Sequence, residues 1–298
     1  MTRYLIAGAG GMLGTDLSAL LADHDVTALT RADLDVTDPA AVLAAVEGHD
    51  VVINTSAYTK VDEAETHEDE AFAINATGVA NLATATAKHG AALVQVSTDY
   101  VFNGTATTPY AENARRDPVS AYGRTKAQGE RLALEINPAG TRIIRTAWLY
   151  GQHGNSFPAT MLRLAGERDT VEVVNDQLGQ PTWTMDLAAR IVAMLDAGAP
   201  SGIYHGTNSG QATWFDFARA VFELGGFDPD RVKPTDSAQF QRPAPRPSYS
   251  VLSHDAWRAV GLEPMRDWRS ALRSAFASGA LASLSSGGDS RPAPGEGG

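Results

Sequence analysis

The sequence predicts an α/β fold: a Rossmann-type doubly wound parallel sheet with a smaller C-terminal α/β substrate-binding domain. Three observations support this. Short apolar runs alternate with helical patterns through the first half of the chain, a glycine-rich loop follows the first run, and the second half alternates less regularly. The apolar runs are continuous, which is typical of parallel strands buried on both faces.

The first half contains five predicted strands. They are 4–7, 26–29, 51–54, 92–96 and 142–145. Apolar residues at helical spacing predict helices between them. These helices are 11–22, 39–46, 68–89 and 121–136, and Asp38 is expected to cap the second of them.

The second half gives weaker patterns. The predicted helices are 157–165, 186–195, 214–224 and 266–276, and the predicted strands are 171–174 and 203–205. Thr182 or Thr184 is the expected cap of the helix at 186–195. Proline and polar residues predict a loop over 232–248. Glycine, serine and proline dominate 278–298, which predicts a disordered tail.

Composition restricts the possible functions. The chain has 298 residues and a formal charge of −11, which argues against a general nucleic-acid binder. It has no cysteine, so disulfides and thiolate chemistry are excluded. We expect no membrane span and no secretory leader, hence a cytoplasmic protein. The histidines are scattered, so we expect no transition-metal site.

A glycine-rich loop joins the first strand to the first helix. Gly8, Gly11 and Gly14 lie in the segment GAGGMLG. A dinucleotide needs glycine there because the turn is tight, the backbone approaches the pyrophosphate and the helix packs closely on the strand. The alternative is a strand–helix turn without a ligand. The flanking elements favour the dinucleotide.

The residues after the second strand bear on the choice of cofactor. Asp33 and Asp35 lie at the distance expected for a ribose-binding carboxylate, and Arg31 can accept a 2′-phosphate. We therefore expect NADPH or NADH. Arg31 could instead be a solvated charge, and Asp35 a turn or cap residue.

Three residues form a candidate catalytic set. Thr98 follows the strand 92–96 at the edge where ligands bind in open α/β sheets. Tyr122 and Lys126 share a helix face. We expect Thr98 to orient a substrate carbonyl and Tyr122 to protonate it. The ammonium of Lys126 is expected to lower the pKa of Tyr122 and to hold the nicotinamide ribose. Taken alone, each feature could be a cap or a solvated helix face.

These motifs together resemble the extended short-chain dehydrogenase/reductase family and, within it, the dTDP-4-dehydrorhamnose reductases. STDYVFNG and VVNDQLGQPTW are more specific than the glycine loop. The segments that carry the resemblance are GAGGMLG, LDVTD, VVINTSAYTKVDEAE, STDYVFNG, YGRTKAQGE, RTAWLYG, VVNDQLGQPTW and RPAPRPSYSVL.

The resemblance implies NAD(P)H-dependent reduction of the 4-keto group of dTDP-4-dehydro-L-rhamnose, giving dTDP-L-rhamnose. It implies an NAD(P)-binding domain at 1–150, to which segments near 175–200 return, and a mainly sugar-nucleotide-binding domain at 151–277. Further cofactor contacts are then expected from Met12, Leu13, Val36, Ala57 and Tyr58. Substrate contacts are expected from Thr59, Val61, Asp99, Trp148, Gln180 and Arg246, with Arg242 a weaker candidate.

The resemblance also leaves alternatives. Asn103 and Ser56 stand where the family usually has aspartate and alanine. Some members are magnesium-dependent dimers. Asp16 and Asp186 match two interface acids but a third cannot be placed, so Mg²⁺ and a homodimer remain possible. A 3,5-epimerase is expected in the pathway. The enzyme could act on another dTDP-6-deoxysugar. A non-catalytic NADP-binding regulatory subunit is disfavoured by the intact set of Thr98, Tyr122 and Lys126.

Overall fold

The computed structural model describes residues 1–281. Its fold is built on a central parallel sheet. The strands are β1 (Arg3–Ala7), β2 (Asp25–Leu29), β3 (Val51–Asn54), β4 (Ala92–Thr98), β5 (Thr141–Thr146), β6 (Leu149–Tyr150), β7 (Val171–Val174), β8 (Leu178–Gly179), β9 (Thr182–Trp183), β10 (Gly202–His205), β11 (Ala212–Thr213) and β12 (Val232–Thr235). Strand order in the six-stranded sheet is β2-β1-β3-β4-β5-β10, and every pair is parallel. This arrangement confirms the predicted fold class.

Helices cover both faces of this sheet and build the C-terminal lobe. The Asp38 side chain accepts hydrogen bonds from the backbone N–H groups of Ala40 and Ala41, so it caps α2 as predicted. The helices are α1 (Met12–Leu20), α2 (Pro39–Val46), α3 (Glu68–Phe72), α4 (Val79–His89), α5 (Ala121–Ile136), α6 (Phe157–Glu167), α7 (Thr184–Asp196), α8 (Trp214–Leu224), α9 (Asp255–Ala259) and α10 (Trp268–Ala277). Among residues 1–281, none of them combines the length and apolar character that crossing a bilayer requires.

The core has a layer on each face of the sheet because successive strand residues point to opposite sides. Along β1, Tyr4 and Ile6 pack in a cluster with Leu187 and Ile191 of α7. Leu5 packs on the opposite face, in a cluster with residues of α2 and α4. A third cluster fills the C-terminal lobe and includes Met161, Phe217, Phe222, Trp268 and Leu272. Helix α7 and strand β10 therefore return from the second half of the chain to the main sheet.

The predicted helix 68–89 is not continuous. A π-helical segment, Ala73–Gly78, separates α3 from α4, and hydrophobic spacing cannot detect this single wider turn. The segment places Asn75 in the interior, where Oδ1 accepts from the Tyr58 N–H at 2.9 Å and Nδ2 donates to Thr125 Oγ1 at 3.1 Å. Asn75 thus joins the loop after β3 to α5.

Two further predictions were wrong. Residues 232–235 are not a loop but strand β12, which pairs in parallel with β7; Pro234 is tolerated there because the strand lies at an edge. Neither Thr182 nor Thr184 caps α7. The Thr184 hydroxyl donates to the Tyr150 carbonyl, and Trp183 precedes the helix without a side-chain cap.

The predicted tail begins too early. Ala280 and Leu281 pack in the core of the C-terminal lobe, and Leu281 is 2% exposed. Burial of these two apolar side chains explains why order extends past the start of the glycine- and serine-rich sequence. The rest of the predicted tail, 282–298, lies outside the described residues.

A buried ion pair fastens α5 to the sheet. Glu130 of α5 accepts from Arg145 of β5 at 2.9 Å and 2.8 Å, a bidentate contact, and both side chains are at most 1% exposed. Ser97 of β4 donates to the same carboxylate at 2.6 Å and Arg116 at 3.0 Å. Burial raises the pKa of Glu130, but Arg145 and the hydrogen-bond donors lower it further, so the net pKa lies below the usual range.

We predict that Glu130→Gln lowers the free energy of unfolding by about 3 kcal/mol, because it leaves a buried guanidinium without its counter-charge. Denaturant unfolding near neutral pH measures this change. The difference from wild type should shrink as pH falls below the unfolded-state pKa of glutamate, since the stability that a depressed pKa provides is lost in acid.

The matched control is Glu135→Gln. Glu135 pairs with Arg131 on the exposed side of the same helix. Its loss should change the free energy of unfolding by less than about 1 kcal/mol. Equal effects of the two substitutions would show that the buried pair does not anchor α5.

Candidate active site

Two glycines of the loop between β1 and α1 have no room for a side chain. Gly8 adopts φ +84°, and a Cβ there would lie 2.6 Å from the Ser56 backbone nitrogen. A Cβ at Gly14 would lie 2.5 Å from the Gly8 carbonyl oxygen. Gly11 caps α1 without a side chain. Two of the three predicted glycines are therefore required by close backbone approach, and α1 begins with free N–H groups at the loop.

A cavity of about 730 Å³ opens beside this loop. Its volume is within the range of small-molecule and cofactor sites. A tight glycine turn next to a helix N-terminus, beside a cavity of this volume, fits a dinucleotide pyrophosphate. The residues that line the cavity are Gly8, Gly10, Gly11, Thr30, Arg31, Ala32, Leu34, Asp35, Val36, Thr37, Thr55, Ser56, Ala57, Thr59, Glu70, Ala73 and Ile74.

The charged residues after β2 have separate roles. Asp33 accepts from the N–H and hydroxyl of Thr30 at 2.9 and 2.6 Å, so it forms the turn. Asp35 accepts from Thr37 in the same way and also lines the cavity. These hydrogen bonds lower the pKa of both carboxyl groups. Arg31 is exposed and lines both this cavity and the adjoining one.

The remaining predicted cofactor residues are distributed over three places. Val36 and Ala57 line the large cavity, whereas Tyr58 lines a smaller one that adjoins it. Met12 and Leu13 form the first turn of α1, and Leu13 points into the core at 5% exposure. Leu13 is therefore placed to pack the helix rather than to contact a ligand through its side chain.

The predicted catalytic residues converge at the end of β4. Thr98 is the last residue of that strand, and Tyr122 lies in the first turn of α5. Burial raises the pKa of Tyr122 to about 12, the neighbouring Thr98 hydroxyl lowers it and the Asp99 carboxyl raises it. The phenol is therefore protonated at neutral pH, as a proton donor must be.

Lys126 differs from its predicted role in one respect. Its Nζ donates to the Val96 carbonyl at 2.7 Å, and burial lowers its pKa to about 8 although Glu130 raises it. The expected lowering of the Tyr122 pKa by Lys126 is wrong for this structure, because burial of the phenol outweighs every other influence. The ammonium retains two donors beyond Val96 for a ligand.

Asp99 lies beside Thr98 in the interior. It is 2% exposed, and the Thr98 hydroxyl donates to its Oδ1 at 2.9 Å. Burial raises the pKa of Asp99 to about 6, although hydrogen bonds from Ser250 and Thr98 lower it. The predicted contact of this carboxyl with a substrate would need Oδ2, which has no hydrogen-bond partner among residues 1–281.

An aromatic cluster packs against the core of the C-terminal lobe. Trp148 has a positive φ of 46° and stacks on Trp214 at 3.6 Å between ring centroids. Phe157 packs against Trp214 in turn. Left-handed backbone at a bulky residue costs free energy and persists only where the surroundings impose it. The close approach of Gly179 to the Trp148 ring is one such constraint.

A second cavity of about 410 Å³ lies beyond these aromatic rings. Arg242 and Arg246 face it, together with Tyr100, Phe157 and Trp214. It therefore combines flat apolar surfaces with two cations. These groups suit a nucleotide base and its diphosphate.

Asp62 holds the arginine-bearing segment in place. Its carboxylate accepts from Arg246 at 3.0 Å and from the Ala244 N–H at 3.2 Å, and Arg242 lies 3.8 Å away. The carboxylate belongs to the same loop as Thr59, which lines the large cavity, and half-buried Val61. The loop after β3 thus lines the large cavity and also holds the arginines that line the second one.

Gln180 does not face the cleft. It is 2% exposed, and its side chain hydrogen-bonds both the N–H and carbonyl of Leu252 and accepts from the Thr207 hydroxyl. Through these contacts the Gln180 amide holds the C-terminal segment at Leu252 in place. The placement does not support the predicted substrate contact.

The acidic residues considered for magnesium have other partners. Asp186 forms a bidentate ion pair with Arg266 and accepts from Asn208. Asp16 is buried, 3.8 Å from His153 Nε2. Within residues 1–281, no group of three or more His, Cys, Asp or Glu side chains is arranged to hold a metal ion.

Sequence analysis did not single out Asp62, Phe157 or Trp214. Asp62 belongs to a segment that carried the family resemblance, so its position was a usable signal. Phe157 and Trp214 begin predicted helices, and nothing in their local patterns distinguishes them from core aromatic residues.

Comparisons with known proteins agree with this geometry. A family model described as the RmlD substrate binding domain matches residues 2–280. A dTDP-4-dehydrorhamnose reductase of Streptomyces griseus is 51% identical over 92% of this chain and 93% of its own length. A dTDP-4-keto-6-deoxy-D-glucose reductase of Streptomyces niveus is 50% identical, with 92% and 96% covered. These matches confirm the resemblance that the motifs predicted.

A solved structure of a related protein has a similar fold. It is a dTDP-4-dehydrorhamnose reductase of Bacillus anthracis in complex with NADP, with a TM-score of 0.90 and 37% sequence identity. The alignment covers 93% of this chain and 100% of that one.

We predict that Gly8→Ala raises the dissociation constant for NADPH or NADH about tenfold or more. Left-handed backbone at a non-glycine residue costs roughly 1–3 kcal/mol, and the loop must shift out of its binding geometry to relieve that strain. The added methyl group would also press on the Ser56 backbone. Fluorescence titration of the folded variant measures the effect.

Gly90→Ala is the matched control. Gly90 also has a positive φ, +70°, but it ends α4 and does not line the cavity, and a Cβ there would meet no other atom within 4 Å. It should bind the dinucleotide within about threefold of wild type. Equal binding by wild type and Gly8→Ala would contradict the assignment of the loop as the pyrophosphate cradle.

Proposed function

We propose, because this chain belongs to the RmlD substrate binding domain family, that it is an NADPH- or NADH-dependent reductase of the 4-keto group of dTDP-4-dehydro-L-rhamnose. The product would be dTDP-L-rhamnose. The observation that carries the proposal is the proximity of Thr98 and Tyr122 at the end of β4, in a chain that also has a glycine-lined cavity and an aromatic, arginine-bearing one. The solved relative with NADP supports the choice of cofactor.

The cofactor is held by groups that the loops after β1, β2 and β3 present. The glycine loop and the N-terminus of α1 bind the pyrophosphate. Asp35 is placed for the adenosine ribose, and Arg31 for a 2′-phosphate. Lys126 is placed to bind the nicotinamide ribose with the donors that Val96 does not use. When bound, the cofactor supplies the hydride.

The sugar nucleotide is held between the two lobes. Arg246 and Arg242 neutralise the diphosphate, and the rings of Phe157 and Trp214 provide flat surfaces for the base. Trp148 extends this aromatic surface toward the apolar side of the deoxysugar. Asp62 orients Arg246 before the substrate arrives.

Tyr122 acts as the proton donor. In this proposal the hydroxyls of Tyr122 and Thr98 both donate to the carbonyl oxygen, on which negative charge develops during the reduction. A phenol with pKa about 12 gives its proton readily to an alkoxide, because the basicity of alkoxides is comparable to that of hydroxide, whose conjugate acid has a pKa of roughly 15.7. The raised pKa therefore keeps the Tyr122 phenol protonated without preventing transfer of its proton to the alkoxide.

The reaction is tested by cofactor oxidation. Purified protein with NADPH is given dTDP-4-keto-6-deoxy-D-glucose with and without a 3,5-epimerase, and the product is identified by NMR. We expect oxidation that depends on the epimerase and yields dTDP-L-rhamnose. No oxidation with either sugar, despite cofactor binding, would favour a regulatory subunit.

A second candidate substrate follows from one comparison. The relative from Streptomyces niveus carries the name of a reductase for dTDP-4-keto-6-deoxy-D-glucose, a keto sugar that has not been epimerised, and it is as similar as the rhamnose enzymes. Oxidation without the epimerase would support reduction of this sugar or another dTDP-6-deoxysugar. A homodimer and a cytoplasmic location stay predictions.

We predict that Tyr122→Phe lowers kcat about 100-fold or more, since a positioned general acid contributes roughly 10²–10⁴-fold. Binding of NADPH should stay within about twofold, because the phenol is not part of the pyrophosphate cradle. Stopped-flow oxidation and fluorescence titration measure the two quantities.

Tyr204→Phe is the control for loss of a tyrosine hydroxyl. Tyr204 lies on β10 and donates to the Pro200 carbonyl, away from the cleft. Its kcat should match that of wild type. Full activity in Tyr122→Phe would exclude Tyr122 as the donor.

A further inference from the structure

The Thr98 hydroxyl has a single proton to donate, but two acceptors require it. It donates its one proton to Asp99 Oδ1 at 2.9 Å, and its oxygen accepts from the Tyr100 N–H at 3.2 Å. In the proposed reaction the same hydroxyl must donate to the substrate carbonyl oxygen. A hydroxyl has a single donor, so it cannot serve Asp99 and the carbonyl together.

Asp99 is poorly surrounded for an ionised carboxylate. It is 2% exposed, and its Oδ2 has no hydrogen-bond partner of good geometry among residues 1–281, although the Ser250 hydroxyl and the backbone N–H groups of Asp99 and Tyr100 lie close enough to lower the pKa of the carboxyl. A buried, incompletely bonded carboxylate is costly, whereas a neutral acid in the same place is much less so. Oδ1 has the Thr98 hydroxyl as its partner in either form.

The groups that face Asp99 add no positive charge next to it. Two are phenols, Tyr100 of the turn after β4 and Tyr122 of α5, and burial raises the pKa of each. Lys126, also on α5, directs its Nζ to the Val96 carbonyl. Arg246 of the C-terminal segment lies over the Tyr100 ring, 6.0 Å from its centroid, and pairs with Asp62.

We propose that Asp99 works as a neutral carboxylic acid, which donates its proton to Thr98 Oγ1 and so frees the Thr98 hydroxyl to donate to the carbonyl oxygen. The carbonyl then accepts from both Thr98 and Tyr122. Asp99 is a positioning residue in this scheme, since it acts through Thr98 and does not need to touch the sugar. The inference rests on the reductase function proposed above.

The ionised form of Asp99 gives a less active arrangement. The Thr98 hydroxyl continues to donate its hydrogen bond to the Asp99 carboxylate, and the substrate carbonyl accepts from Tyr122 alone. Moving that hydrogen bond to the carbonyl would leave a buried carboxylate without its donor. The raised pKa of Asp99, about 6, means that both forms are populated near neutral pH. Activity should therefore fall as pH rises through this value.

The test is the pH profile of kcat/KM, which reports groups of the free enzyme. For wild type we expect a fall of up to about 25-fold from roughly pH 5.5 to pH 7.5, which is the change in the protonated fraction of an acid with pKa about 6. Asp99→Asn keeps a donor toward Thr98 at every pH. Its profile should change less than about twofold over the same range.

Ser250→Ala is a second variant that does not alter the carboxyl. The Ser250 hydroxyl favours ionised Asp99, so its loss should move the falling limb to higher pH. Asp230→Asn is the control, because Asp230 is an exposed partner of Arg219, and its profile should match wild type. A fall with pH in Asp99→Asn parallel to that of wild type would overturn the proposal, as would a limb that Ser250→Ala leaves in place.

Infrared spectroscopy separates this proposal from the reductase function. The wild-type difference spectrum between acidic and neutral pH, without any sugar, should contain a protonated carboxyl band that Asp99→Asn removes. Absence of that band would overturn the neutral acid even if the keto sugar is reduced. Presence of the band with no reduction of any keto sugar would support neutral Asp99 and reject the reductase instead.

Discussion

The ion pair between Glu130 and Arg145 determines how α5 lies on the central sheet, and the proposed chemistry depends on that helix. Glu130 follows Lys126 by four residues and Tyr122 by eight, so the three side chains follow one face. The carboxylate also accepts from Ser97, the residue before Thr98. One buried contact therefore fixes the positions of Tyr122, Lys126 and Thr98 relative to each other.

Close backbone packing completes this arrangement. A Cβ at Gly123 would lie 2.2 Å from the Tyr100 carbonyl oxygen, and one at Gly129 would lie 2.1 Å from the Asn75 carbonyl oxygen. Helix α5 thus rests directly on the backbone of its neighbours at both points. The resulting burial raises the pKa of Tyr122 and lowers that of Lys126. The same packing that orients the site also sets the protonation of its groups.

Much of the sheet could be predicted because its signal is local. Strands buried on both faces are continuous apolar runs, and the loop with Gly8 and Gly14 combines a strand, a turn and a helix within a few residues. The Thr98, Tyr122 and Lys126 set could also be predicted, since parallel topology brings strand ends to one edge. The π-helical segment could not, because one wider turn hardly disturbs hydrophobic spacing.

Contacts between distant parts of the chain were beyond sequence reasoning. Asp62 and Arg246 are 184 residues apart, and each alone looks like a solvated charge. Gln180 belongs to a motif of the family, yet the motif does not reveal that its amide faces Leu252 rather than the cleft. The direction of the Tyr122 pKa shift also could not be predicted from the sequence, because it depends on how deeply the phenol is buried.

The claim that these residues surround a reacting carbonyl is tested most directly by isotope transfer. NADPH that carries deuterium at the transferred position is incubated with the protein and the keto sugar, and the product hexose is examined by NMR. The account predicts one deuterium at C4 of the sugar for each NADPH consumed. Deuterium at another carbon, or a reduced sugar without deuterium, would contradict it.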